Sequence, residues 1–219
     1  MTEALERARL AVRKLKVFPL PSVVLLPGSA APLHIFEPRY RELVKDALAS
    51  DSLIAIAQVM PGQESLISGA PALEEMLCIG TITLHEELPD GRSNLVLVGI
   101  ARARLVKELP HVHGYREIEA ELVEDEVVEP EADESLRRAV VELVARIPQA
   151  VGQRVAQVTS RVSGGQLADV VASTFMQEPA QRFEVLRETD VRARIEIVTE
   201  ELLNLVGAIK PQKPGGLLN

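Results

Sequence analysis

An acidic segment at residues 117–134 divides the chain into two parts with different hydrophobic periods. It holds ten acidic residues and no basic residue. Before Pro130 the apolar residues form short runs rich in Val, Ile and Leu, broken by Pro and Gly, which is typical of strands. After Pro130 they recur at helical spacing, as in Leu136, Val140 and Leu143. The two periods predict an α+β fold with a β-rich N-terminal half and a helical C-terminal half.

The acidic segment changes character along its length. Residues 117–122 alternate acidic and apolar side chains, which predicts a strand with one solvated face. Residues 124–131 lose the alternation and include Pro130, which favours a solvated hinge over a site for a basic partner or a metal. We therefore expect five parts. They are an N-terminal extension (1–14), a β-rich subdomain (15–125), an acidic linker (126–134), a helical subdomain (135–209) and a flexible tail (210–219).

Local patterns place the elements of the first half. A helix is predicted from Pro38, because Tyr40, Leu43, Val44, Ala47 and Leu48 form one apolar stripe that packs on a sheet. Asp90-Gly91 is a tight hairpin turn pair between two apolar runs. Residues 1–16 also show a helical stripe, with five basic and two acidic residues, and favour a short packing helix over a membrane-surface helix. Strands are predicted at 15–20, 22–26, 53–59, 78–86, 94–100, 102–108 and 115–123.

Composition narrows the classes of partner. Lys and Arg number 24 and Asp and Glu 32, so the formal net charge is −8, and aromatic residues make up only 3% with no Trp. Both features oppose nucleic-acid binding, which uses basic faces and aromatic stacking. No apolar run approaches the roughly 20 residues of a membrane span, and the N-terminus lacks a signal sequence. The single cysteine excludes an internal disulfide, and together these features favour a cytoplasmic protein without a membrane partner.

The motifs of the common enzyme classes are missing from the 219 residues. There is no GxxxxGK[ST], GxGxxG, GxSxG or HExxH. His111 and His113 have the spacing of two ligands on one strand face, but a metal needs a third ligand, and Pro110 and Gly114 favour a solvated turn. Cys78 lies in an apolar run and behaves there as a small hydrophobe. We therefore predict no catalytic residue, no metal and no cofactor.

Two long motifs resemble a known family. Residues 16–28, KVFPLPSVVLLPG, and 32–44, PLHIFEPRYRELV, closely resemble the opening of the Lon protease N-terminal domain. The segments LPDGR at 88–92 and GIARARL at 99–105 continue the resemblance in order, and QLAD at 166–169 with 178–195 extends it more weakly.

The resemblance implies a fold and a role. The expected fold is a PUA-like β barrel or folded sheet followed by a helical bundle. The expected role is the substrate-binding part of that protease, in a stand-alone form without ATPase or peptidase domains. Because the 219 residues contain neither a Walker loop nor a peptidase domain, we expect no ATP-dependent protease activity from this chain alone.

We therefore predict a non-enzymatic module that binds unfolded or tagged protein segments, as an adaptor or holdase for a protease or chaperone. The alternatives are a nucleic-acid-binding PUA-like module and a small-molecule enzyme with an unrecognised site. The predicted peptide-binding residues combine apolar and basic side chains near the hairpin, and they are Leu33, His34, Phe36, Arg92, Arg102 and Arg104. The competing interpretation is that Phe36 is buried core and that Arg92 and Arg102 are solvated.

Overall fold

The computed structural model describes residues 2–63 and 70–209 of the chain. The contacts divide it into two compact units. The first comprises residues 1–124 together with 177–187, and the second comprises residues 125–176 and 188–219. The α+β fold predicted from the sequence is confirmed, because the first unit holds the strands and most helices belong to the second. The expected tail at 210–219 lies outside the described residues.

The first unit is a five-stranded barrel with one added strand. The strands are β1 Leu15–Leu20, β2 Ala30–Ile35, β3 Leu53–Val59, β4 Leu73–Glu87, β5 Ser93–Glu108 and β6 Arg116–Val123. They run in the order β2-β5-β4-β3-β1-β6, and a further pairing of β5 with β6 closes the barrel. The β1–β3 pair is parallel and the other pairs are antiparallel. Fully buried aliphatic side chains from the barrel strands fill the interior, among them Val17, Leu53, Leu77, Ile79 and Ile118.

Three strand predictions need correction. The predicted strand at 22–26 is a segment without regular structure, although Leu25 and Leu26 are buried, because an apolar run can be satisfied by burial without a ladder. The predicted pair 94–100 and 102–108 is one continuous strand, β5. Strand β2 was not predicted. It contains Pro32, which lacks an N–H donor and is tolerated in sheets mainly at an edge.

The helices of the first unit agree with the sequence more closely. Helix α1 spans Thr2–Ala11, and a 3₁₀ turn at Val12–Lys14 leads into β1. Helix α2 spans Pro38–Leu48, and its predicted stripe is buried except at the exposed Leu48. No described helix is long and apolar enough to cross a membrane.

The second unit contains four helices in its described part. They are α3 Glu134–Val144, α4 Gln149–Thr159, α5 Gly164–Phe175 and α7 Val191–Ala208. Helix α3 contacts α4 and α7, and α5 contacts α7, around buried residues that include Leu136, Leu143, Leu167, Val198 and Leu202. Residues 124–129 precede them without helix or strand, followed by a 3₁₀ turn at Pro130–Asp133.

Helix α6, Pro179–Arg187, belongs to the first unit, although the sequence placed residues 135–209 in one helical subdomain. It contacts β4, and the carbonyl oxygens of Val185 and Leu186 accept hydrogen bonds from Arg102. Helical periodicity cannot reveal this, because it reports that a helix has an apolar face and not which element covers it.

Candidate functional site

Three strand segments beyond the closed part of the barrel form an arm. It consists of β2, residues 81–87 of β4 and residues 93–98 of β5. Strand β2 lies at its edge, since β5 is the only described strand that pairs with it. An edge strand has one row of backbone N–H and C=O groups without a ladder partner. The arm therefore offers an open strand edge.

One face of the arm, the outer face, is apolar and exposed. The register places Pro32 opposite Val96 and Val96 opposite Leu84, so these three side chains project to the same face. Leu84 is 59% exposed, as is Phe36 just after the end of β2. The alternative that Phe36 is buried core is therefore wrong.

The opposite face of the arm is buried along β5, whereas His85 and Glu87 of β4 are exposed on it. Ile35, Leu95 and Leu97 are each at most 2% exposed, and Leu33 is half-buried. Because successive side chains of a strand point to opposite faces, the buried residues of the arm lie on one face and the exposed apolar residues on the other. The apolar residues of the outer face are therefore not part of the buried core.

A polar row crosses the outer face beside Phe36. His34 Nδ1 lies 2.8 Å from Asn94 Oδ1, and Asn94 Nδ2 donates to Glu86 Oε2 at 3.3 Å. Since the Asn94 amide nitrogen donates to Glu86, its oxygen is the acceptor and His34 Nδ1 carries the proton. The His34 and Phe36 rings stack with centroids 6.2 Å apart. This row fixes the orientation of His34 against the exposed aromatic ring.

The hairpin turn carries Arg92 at one end of the arm. Gly91 has φ 77°, which the tight turn requires, and Arg41 of α2 packs over it. Arg92 is exposed and its guanidinium lies 2.6 Å from Asp90 Oδ2. The hydrogen bonds from Arg92 hold the pKa of the Asp90 carboxyl below its usual range. The Arg92 guanidinium is therefore exposed, and the Asp90 carboxylate in the same turn offsets part of its charge.

The other two predicted arginines lie in the barrel half of β5. From Asn94, opposite His34, to Arg102 is eight residues, about 26 Å along the strand. Arg104 is exposed and lies 3.6 Å from Glu75. Arg102 is only 2% exposed, and its Nε and Nη2 donate to the carbonyl oxygens of Leu186 and Val185, each at 3.0 Å. The alternative that Arg102 is solvated is thus wrong, and its charge faces the end of α6 rather than solvent.

A groove with mixed charges lies between α2 and the hairpin. Its volume is about 710 Å³. Arg41, Lys45 and His85 contribute basic groups to its walls, and Glu42 and Glu87 contribute carboxylates. The mixture suits a polar or zwitterionic segment better than a single anion. Sequence reasoning missed this groove, because it joins a helix to a hairpin some forty residues further along the chain.

The structure thus brings Leu33, His34, Phe36 and Arg92 to the arm and leaves Arg102 and Arg104 in the barrel. The role of all six residues in peptide binding stays a prediction. Sequence reasoning missed Leu84 and Val96 on the outer face. The Asp90-Gly91 turn was a usable signal, since counting outward from Leu88 and Arg92 sets Leu84 against Val96.

Another cluster lies where α2 meets the segment before β6. Glu42, Asp46 and His113 each bring one potential ligand atom within 4.8 Å of the others. Among the described residues this is the one group of three such side chains with that spacing. The sequence predicted no metal here, because the two carboxylates are about seventy residues from His113.

Comparisons with known proteins agree with this architecture. The family described as "ATP-dependent protease La (LON) substrate-binding domain" matches residues 14–204. Lon protease 2 of Myxococcus xanthus is 30% identical over 197 residues, covering 87% of this chain and 23% of that protein. Lon protease of Anaeromyxobacter dehalogenans is 28% identical, with coverages of 87% and 23%. The chain thus spans about a quarter of the length of these curated relatives.

Solved structures show the same fold. The N-terminal domain of Lon protease from the Mycobacterium avium complex superposes with a TM-score of 0.70 at 18% identity, covering 87% of this chain and 98% of that one. A Lon N-terminal domain protein from Xanthomonas campestris gives a TM-score of 0.58 at 24% identity, with coverages of 87% and 97%. With its five-stranded barrel, its helical second unit and a family match over most of its length, this chain belongs to the LON substrate-binding domain family.

Proposed function

We propose that this chain binds extended or unfolded segments of other proteins on the arm. The observation that carries the proposal is the exposed apolar outer face, with Phe36 and Leu84 each 59% exposed, beside the open edge of β2. Exposed apolar patches mark interaction sites more often than isolated exposed side chains do. A strand edge supplies backbone groups that any extended chain can pair with.

The two features together suit partners of varied sequence. Backbone pairing along β2 supplies affinity that does not depend on the partner's side chains. Alternate side chains of an added strand would then lie on the outer face beside Pro32 and Phe36, and this apolar face continues across the arm to Val96 and Leu84. Arg92 at the end of the arm adds a cation for acidic partners. The net charge of −8 does not favour the nucleic-acid alternative.

The family supports the same function. Its description is a substrate-binding domain, and the relatives are Lon proteases. The 219 residues contain no GxxxxGK[ST] segment for ATP. We therefore propose that the chain is a cytoplasmic, non-enzymatic holdase or adaptor that delivers bound segments to an ATP-dependent protease of the Lon type.

The first test measures binding of a fluorescent, permanently unfolded polypeptide by anisotropy. We expect Phe36→Ser with Leu84→Ser to weaken binding at least tenfold, because each large apolar side chain contributes about 1.5–3 kcal/mol when covered and about 1.4 kcal/mol is a factor of ten. Val106→Ser is the matched control, because Val106 is 55% exposed on β5 but outside the arm. Equal binding by the double variant and the parent would contradict the assignment to the arm.

A second measurement tests whether a bound peptide pairs with β2 by strand addition. A bound peptide with alternate N-methylated residues should lose most of its affinity, since it cannot donate to the edge of β2. Unchanged affinity would rule out strand addition, and binding to the apolar outer face would remain as the explanation.

A third measurement tests delivery to a protease. Delivery predicts that the parent chain, but not the Phe36/Leu84 double variant, changes the rate at which a full-length Lon protease degrades the same polypeptide.

A further inference from the structure

We propose that Glu42, Asp46 and His113 form a binding site for a divalent first-row transition metal, with Zn²⁺ as the best-matched ion. The three ligand atoms lie within 4.8 Å of one another, which is close to the spacing that such an ion needs. His113 Nδ1 lies 3.3 Å from Glu42 Oε1 and 3.9 Å from Asp46 Oδ2. Ligand atoms about 2.1 Å from a tetrahedral ion are about 3.4 Å apart. An ion between these atoms therefore needs only side-chain adjustments.

Helix α2 positions the two carboxylates. Glu42 and Asp46 are four residues apart, so one turn of the helix places both on the same side. Their side chains and that of His113 are all partly accessible to solvent, which gives an ion a route of entry. Arg39, one turn from Glu42, directs its guanidinium to Glu37 at 2.9 Å. That contact pairs one cation of α2 with a carboxylate outside the cluster.

The groups around the cluster orient its ligands. The Gly114 N–H donates to Glu42 Oε2 at 3.3 Å, so the Oε1 atom is the one directed to His113. The Tyr115 hydroxyl donates to Asp46 Oδ2 at 2.8 Å. The His113 ring lies against the Tyr115 ring, with centroids 4.9 Å apart and planes 9° apart. Hydrogen-bonded partners of this kind fix metal ligands and raise affinity.

The donor set selects the class of ion. One imidazole nitrogen with two carboxylates suits Zn²⁺ and its first-row neighbours, whereas Ca²⁺ and Mg²⁺ prefer oxygen alone. Three protein ligands leave a position for water or for a group of another molecule. Without an ion, the same distances fit a polar cluster of one imidazole and two carboxylates. Metal binding and such a cluster differ in what they predict for added Zn²⁺.

The test is a calorimetric titration of the full, untagged chain with ZnCl₂. It is carried out at a pH above the ordinary imidazole pKa of about 6.5. We expect one ion per chain and a rise in the thermal midpoint with Zn²⁺. Glu42→Gln and His113→Ala should each weaken binding at least tenfold. Tyr115→Phe should weaken it about tenfold while leaving all three ligands in place. CoCl₂ should produce visible absorption bands that the His113→Ala variant lacks.

The control is His111→Ala, an exposed histidine two residues from His113 that lies outside the cluster. It should bind Zn²⁺ like the parent. Asp46→Asn provides a second ligand variant if Glu42→Gln alters folding, which circular dichroism without metal will show. Absence of stoichiometric Zn²⁺ binding, equal binding by the ligand variants, or a matching loss in His111→Ala would each overturn the proposal.

Discussion

At the residue scale, burial decides whether a polar side chain stabilises the fold or stays accessible to solvent. Arg102 and Arg104 are two residues apart on β5, so strand alternation places both on one face. Arg104 is exposed, whereas Arg102 is covered because α6, about eighty residues later, directs its last carbonyl oxygens to it. A buried guanidinium needs such acceptors, since an unpaired buried charge is strongly unfavourable. The same residue type therefore serves folding at one position and remains available to solvent at the other.

The two tyrosines provide the residue-scale prediction. Burial raises the pKa of Tyr40, and burial followed by the hydrogen bond to Asp46 raises the pKa of Tyr115 further. In the folded chain, neither phenol should ionise near the ordinary value of about 10. Because the folded pKa values are the higher ones, the stability they contribute is complete below about pH 10 and is lost as the pH rises above it.

Tyrosinate absorbance measures this directly, because the chain has two Tyr and no Trp. In urea both residues should titrate near the ordinary pKa. Tyr115→Phe should remove the later of the two native transitions and reduce the loss of stability at alkaline pH. A native titration that coincides with the unfolded one would show that the phenols are accessible.

At the element scale, the sequence predicted what depends on local pattern. Helix α2, the Asp90-Gly91 hairpin and strands β1 and β3 lie where the periodicity placed them. Strand β2 was missed because its pairing with β5 depends on residues sixty positions away, and Pro32 lowered its strand signal. The arm and its outer face follow from that pairing. The pairing of Leu84 with Val96 could therefore have been predicted from the hairpin turn, but the exposure of Leu84 and Phe36 could not.

Asp133 shows how the acidic segment also supports an element. The sequence placed it in the acidic linker at residues 126–134, and its side chain is buried. It accepts hydrogen bonds from Arg137 Nε and from the Gly164 backbone N–H, each at 2.7 Å. Arg137 in turn donates to the Val162 carbonyl oxygen at 2.8 Å. One carboxylate thus joins the start of α3 to the start of α5.

We therefore expect Asp133→Ala to lower the free energy of unfolding by about 1–3 kcal/mol, because it leaves the Gly164 backbone N–H without its acceptor and the partly exposed Arg137 guanidinium without its partner. Asp133→Asn should have a smaller effect, since its amide oxygen can still accept one of these bonds. Glu134→Ala is the neighbouring control, and as an exposed substitution it should stay within about 0.5 kcal/mol. Urea unfolding measures all three. A loss equal to that of the control would mean that Asp133 is solvated in solution.

On the scale of the whole molecule, the order of the sequence and the grouping of the contacts differ. The first unit takes residues 1–124 and then residues 177–187, so the chain passes between the units after Glu124, after Met176 and after Arg187. The resemblance to the Lon N-terminal domain and the period change near Pro130 both suggested a single division. The returning helix α6 could not be predicted, because the hydrogen bonds that hold it run from one buried arginine of β5 to backbone carbonyl oxygens of α6, which carry no sequence signal.

This arrangement predicts how the first unit behaves when isolated. A fragment of residues 1–124 lacks α6, so Arg102 loses the carbonyl oxygens of Val185 and Leu186. Adding residues 177–187 through a Gly/Ser linker should raise its free energy of unfolding by about 2 kcal/mol or more, since each hydrogen bond to a charged group contributes about 1.5–3 kcal/mol. The control is the same fusion carrying Arg102→Ala, which should gain much less. If the fusion and its control were equally stable, α6 would not depend on Arg102 for its place in the first unit.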